Sequence, residues 1–216
     1  MLELGLNAFI TFMVVIDPLG LLPIFVSLTQ GMAPGHRRLM AFKGVAIGAA
    51  ILLVFAVAGR GLLESLGIGL PAFRIAGGVM LFLIALEMVF EKRTERRART
   101  AADFKQAGHD RHPPYPEQPD DVSVFPIAIP LLAGPGAITA VLLLMGQHHE
   151  RAGARLLVLG VMLAVLALAL VLFLQASRLE RLLGETLTTV VSRLLGILLA
   201  ALAVQYILDG VRQALG

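Results

Sequence analysis

The chain is built from long apolar runs separated by short polar joints. Six runs, at about 4–29, 39–59, 71–90, 122–145, 155–176 and 190–211, carry mostly Leu, Ile, Val, Ala, Phe and Met. Each is long enough to cross ~30 Å of hydrocarbon at ~1.5 Å of helical rise per residue. None shows the alternating pattern of a barrel strand, so the expected elements are helices, whose backbones satisfy their own hydrogen bonds in lipid. Two of the runs are interrupted. Ile16-Asp17-Pro18-Leu19-Gly20-Leu21-Leu22-Pro23 breaks the first, and Ala133-Gly134-Pro135-Gly136-Ala137-Ile138-Thr139 breaks the fourth.

The order of features repeats. Each half has a first run broken by Pro and Gly, a plain aliphatic second run, and a third that opens with arginine. Arg74-Ile75-Ala76-Gly77 in the third run parallels Arg193-Leu194-Leu195-Gly196 in the sixth. Pro18 lies 56 positions before Arg74, and Pro135 lies 58 before Arg193. Three crossings is an odd number, so the second copy enters the membrane upside down relative to the first. The expected fold is an all-α polytopic membrane protein of six transmembrane helices. Residues 1–90 and 122–216 form two inverted three-helix repeats, and helices 1 and 4 are broken at Asp17-Pro18 and Gly134-Pro135.

Composition agrees with that class. Of 216 residues, 57% are hydrophobic and only 15% charged, with a mean hydropathy of +0.84; soluble domains do not look like this. With no cysteine, disulfides and thiolate metal sites are excluded. The net charge of +3 does not indicate nucleic acid, because the basic residues sit in the joints between apolar runs. Counted by alternate joints, Lys and Arg number twelve on one side and four on the other. The positive-inside rule then places both termini outside the cytoplasm. The single early charge, Glu3, gives no basic n-region, so the first run is not a secretory signal. Residues 91–121, with mixed charge and Pro113, Pro114, Pro116 and Pro119, are expected to be a flexible cytoplasmic connector. Its basic cluster, Lys92, Arg93, Arg96 and Arg97, is either a solvated topology determinant or a hold for anionic lipid.

The candidate chemistry gathers at the breaks. Asp is a favoured helix N-cap and Pro a favoured first helical residue, so Asp17-Pro18 reads as one helix ending and another starting. Gly134-Pro135 has the same grammar. Each restart points unpaired N–H groups and a partial positive charge into the membrane, where a carboxylate is a natural ligand. Asp17, Pro18, Gly20, Gly134, Pro135, Gly136 and Thr139 are therefore the candidate binding residues. Asp17 lies ~20 Å into the first helix, where a carboxylate is costly unless paired or protonated. It is either a structural cap or a proton-coupling group. Arg74 and Arg193 either snorkel to headgroups or serve as gates and ion-pair partners for Asp17 or Glu87. Glu87 has an interfacial bridge to Lys92 or Arg93 as its simpler explanation. His148-His149-Glu150 is not a zinc-protease motif and no phosphate loop occurs, so neither enzyme chemistry nor a metal or cofactor is expected.

Four stretches carry a family resemblance: 16–25, Gly67-Ile68-Gly69-Leu70-Pro71-Ala72-Phe73-Arg74-Ile75-Ala76-Gly77-Gly78, residues 126–139 from Pro126 to Thr139, and 193–200 from Arg193 to Ala200. In these the chain resembles the MarC family of bacterial inner-membrane proteins, the small neutral amino acid transporters. The resemblance implies six spans in two inverted repeats. It also implies proton-coupled transport of glycine- or alanine-like solutes across the bacterial inner membrane. Expected partners are the lipid bilayer and the amino acid, with a homodimer left open. Two other readings stay open: a lipid flippase or lipid-modifying protein, and a non-transporting membrane scaffold.

Overall fold

The computed structural model describes residues 1–109, 121–147 and 151–215, leaving aside the side chains at 94, 104–109 and 177–188. Helices α1 (Leu2–Ile16) and α2 (Pro18–Leu28) form the first span; α3 (Pro34–Ser65) and α4 (Leu70–Val89) follow. Next come α5 (Lys92–His109), an irregular segment Ser123–Leu132, α6 (Pro135–Gln147), α7 (Ala152–Leu174) and α8 (Ala176–Leu215). Five stretches are long and apolar enough to cross a membrane, and the irregular segment with α6, bent by 54°, would make a sixth.

The two broken spans lie at the centre. In its most apolar stretch, Leu2–Leu28 is 67% buried, against 28–39% for the four other long spans. Most of α6 is buried as well. The plain helices turn Val54, Val57, Leu83, Leu156, Ile197 and Leu198 outward, as lipid-facing helices must. The interrupted first span is thus the most enclosed of the long ones, with its exposed apolar residues, Leu2, Leu6 and Phe9, near its start and well before the break. An enclosed position is where a disrupted backbone can be tolerated.

The packing has a pattern. α4 and α8 share the largest interface; α1 packs on α7 as the irregular segment and α6 pack on α3, and α2 packs on α8 as α6 packs on α4. The α4–α8 seam is close because glycines line it. A Cβ on Gly78 would stand 2.8 Å from the carbonyl oxygen of Ala203, and one on Gly196 would stand 2.9 Å from Cβ of Met88. Small residues let membrane helices approach in this way.

Three expectations change. The first half of the fourth span is not a regular α-helix. Pro126 and Pro130 lack N–H groups, and the residues before them, Phe125 and Ile129, are extended, as residues preceding proline tend to be. Wide turns result, with Ile127 N–H donating to the carbonyl of Val122 and Ala133 N–H to that of Ala128. Secondly, the expected flexible connector begins as a helix. Glu91, with φ 62°, turns the chain out of α4, and α5 then runs through Ala, Arg, Glu and Lys, all good helix formers. The rest of that connector, 110–120, and the joint holding His148, His149 and Glu150 lie outside the described residues. Thirdly, α3 has 32 residues and α8 has 40, both longer than the apolar runs that revealed them.

Candidate binding site at the two helix breaks

Asp17 adopts a left-handed conformation, φ 54° and ψ 62°. Its N–H closes α1 on the carbonyl of Met13, and its carbonyl accepts from Leu21 N–H to open α2. Asp tolerates this conformation better than most residues. Its side chain caps the new helix, accepting from Gly20 N–H at 3.1 Å. Gly20 is required sterically: a Cβ there would sit 2.2 Å from Oδ2 of Asp17. Gly20→Ala is expected to displace the carboxylate and cost ~1 kcal/mol, the usual worth of an N-cap. The check is thermal unfolding of the variant in detergent.

The break does not present bare groups. Asp17 is 3% exposed, and α5 reaches its carboxylate. Arg97 Nη1 donates to Oδ2 at 3.1 Å, and Ser192 of α8 donates to Oδ1 at 3.4 Å. The last carbonyls of α1 are also taken. Arg93 donates to those of Val14 and Val15, and Arg97 to that of Ile16. Two guanidiniums therefore fill the negative pole where α1 ends, as cations favour. Burial lowers the Arg93 guanidinium to about 9, with the neighbouring Arg97 charge pushing the same way. Burial lowers Arg97 too, and Asp17 opposes it. At neutral pH Arg93 remains charged.

Gly134 and Pro135 form the second break. The Ile138 N–H returns to the carbonyl of Gly134 at 3.0 Å, and the N–H groups of Gly136 and Ala137 have no acceptor among the described residues. The two breaks meet: a Cβ on Gly136 would lie 3.1 Å from Cγ1 of Val15. Between them and α5 is a cavity of about 300 Å³. Its polar lining comes from Arg93, Arg96, Arg97, Thr100 and the backbone at Gly134 to Ala137. A second cavity of about 340 Å³ lies against the opposite side of α5, lined by Gly20, Ser27, Glu91, Glu95, Thr189 and Ser192 among others. α5 thus sorts charge, presenting arginines to one cavity and glutamates to the other.

Several candidates stand elsewhere than expected. Arg74 and Arg193 do not partner Asp17 or Glu87. Arg74, buried rather than reaching headgroups, donates to Gln213 at 2.7 Å, and Arg193 pairs with Glu91. Glu87 pairs with Arg96 at 2.8 Å, not with Lys92 or Arg93. Arg93 and Arg97 are 7% and 8% exposed and spend hydrogen bonds inside the protein; Lys92 and Arg96 remain at the surface. Thr139 turns its methyl toward Gly77 and lines neither cavity. Ser192, Arg93 and Arg97 were the residues that sequence reasoning did not place at the break.

The model of the MarC family of integral membrane proteins matches residues 2–215. The chain belongs to the MarC family. A membrane protein of Methanocaldococcus jannaschii is 35% identical, covering 99% of this chain and 98% of its own length. The Escherichia coli inner membrane protein YhgN is 34% identical over 96% of this chain and 95% of its own. An Aquifex aeolicus membrane protein is 33% identical, with 98% and 94% covered. No solved structure matches the chain. As a MarC family member this is an integral membrane protein, and the outward apolar faces of its helices agree.

Proposed function

We propose that this MarC protein is a secondary transporter of small neutral amino acids, driven by the proton gradient, with its solute site at the junction of the two breaks. The observation that carries this is the meeting of two interrupted spans at the centre of the bundle, beside a cavity. Interrupted helices at a central site are how many secondary transporters bind solutes. The solute's carboxylate would take the N–H groups of Gly136 and Ala137. Its ammonium would need the α1 carbonyls or Asp17, which Arg93 and Arg97 now occupy. Loading a zwitterion therefore requires α5 to withdraw, and α5 serves as the closure on its side of the bundle. Asp17, released from Arg97, would then be free to take a proton. The main contacts pair off between the halves, α1 on α7 with the irregular segment on α3 and α2 on α8 with α6 on α4, which supports an inverted repeat able to rock about that site.

The test is uptake of labelled glycine or alanine into proteoliposomes under an imposed proton gradient. Gradient-dependent flux that falls at least ~10-fold in Asp17→Asn is expected, since loss of a coupling group acts on every cycle. No flux with either amino acid would remove the proposal and favour a lipid-handling protein. Flux unaltered in Asp17→Asn would remove the site.

A further inference from the structure

We infer that the cavity between α5 and the start of α6 is a binding site for a single carboxylate anion, a reading that deepens the proposed transporter site. The charge count leads there. Three guanidiniums, Arg93, Arg96 and Arg97, line the cavity. Among the described residues two carboxylates answer them: Asp17 pairs with Arg97 and Glu87 with Arg96. Arg93, 7% exposed, has no carboxylate among the described residues. Its acceptors are the carbonyls of Val14 and Val15 and the sulfur of Met88.

Arg93 is thus hydrogen-bonded but has no carboxylate of its own, and a buried charge without a counter-ion is expensive. The negative pole of α1 offsets roughly half a charge, but the positive pole of α6 faces the same cavity and returns about as much. That pole also carries the Gly136 and Ala137 N–H groups, which lack acceptors among the described residues. Buried N–H groups are seldom left so. An anion in the cavity would satisfy both deficits together.

The remaining lining chooses the class of anion. Val15, Ile84, Leu131, Leu132 and Ala137 give the cavity apolar walls. These suit a short aliphatic tail better than a fully hydrated inorganic ion. A volume of about 300 Å³ holds a small acid with a few waters, at ~30 Å³ each. The carboxylate belongs either to a small aliphatic acid or to the amino acid solute itself. Glu95 on the far side of α5 disfavours an anion in the other cavity, where Glu91 is already paired with Arg193.

Binding of propionate, alanine and alaninamide to the purified full chain in detergent, followed by ligand-observed NMR, tests the inference. Propionate is expected to bind and alaninamide, which lacks a carboxylate, is not. Two substitutions at partly exposed positions shift the charge count in opposite directions. Arg96→Gln is expected to weaken propionate binding roughly three- to tenfold, and Glu87→Gln to tighten it by a similar factor. Competition by alanine identifies the solute's own carboxylate as the anion; propionate binding without competition identifies a separate acid, and both keep the site. Absence of propionate binding, or the same direction of change in both variants, overturns it. Amino acid flux that persists without propionate binding removes the anion site and spares the transporter. Propionate binding without flux does the reverse.

Discussion

Asp17→Ala is expected to destabilise the protein by ~3–5 kcal/mol, because it strands a charged partner in a buried site. The carboxylate accepts from Arg97, Gly20 and Ser192. Removing it leaves Arg97 with the carbonyl of Ile16 alone, beside the equally enclosed Arg93. It also uncaps α2 and places Ala in a left-handed conformation that it tolerates poorly. These losses share one locus, so they are not additive. Thermal unfolding in detergent is expected to show the drop, and a variant within ~0.5 kcal/mol of the parent would contradict it. Breaking a buried pair is costly even where the intact pair adds little net stability, so the expected loss is a statement about the stranded charge.

Gly134→Ala should be the most disruptive added methyl group among the described glycines. A Cβ at that position would stand 2.4 Å from the backbone oxygen of Pro130. A flexible side chain could turn aside, but this oxygen belongs to a segment held by Ala133 N–H on the Ala128 carbonyl. Backbone displacement must follow, at a cost of ~1–3 kcal/mol or more for overpacking. The start of α6 would shift with it, carrying the Gly136 and Ala137 N–H groups out of line with the cavity. Near-complete loss of solute flux is therefore expected, together with lowered thermal stability. Gly35→Ala, at an exposed position with nothing within 4 Å of the added carbon, is the matching control and should change neither.

Physical length made the spans readable: a helix that crosses lipid needs about twenty apolar residues, and those are counted directly. The breaks were readable because Asp17-Pro18 and Gly134-Pro135 are helix punctuation wherever they occur. What escaped was α5. Its buried stripe is Arg93, Arg97 and Ala101, spaced four apart on one helical face, and a search for apolar periodicity passes over a stripe made of arginine. The signal was nevertheless there. A carboxylate deep in a span needs a cation, and the nearest Arg-x-x-x-Arg on an alanine-rich helix supplies one. Charge in that segment looked like exposure, whereas its partner lay inside the protein.

The irregular start of the fourth span also has its signal in the sequence. Pro126 and Pro130, four apart, each remove a helical hydrogen bond and so interrupt the span ahead of Gly134-Pro135. The lengths of α3 and α8 were hidden for a different reason. Hydropathy finds the part of a helix that lies in lipid, while helix formers such as Ala, Leu and Arg carry the backbone beyond it. The partners of Arg74 and Arg193 depend on how α4 and α8 pack, which no local pattern encodes.

A thermodynamic cycle on Asp17→Asn and Arg97→Gln probes most directly whether the interrupted first span is completed by the helix that follows α4. Unfolding of the parent, both single variants and the double variant yields one coupling energy. The structure predicts a value of ~1.5 kcal/mol or more, with the double variant more stable than the less stable single one. Losses that add to within ~0.3 kcal/mol would mean that α5 does not dock at the break, and the account of the closed site would be wrong.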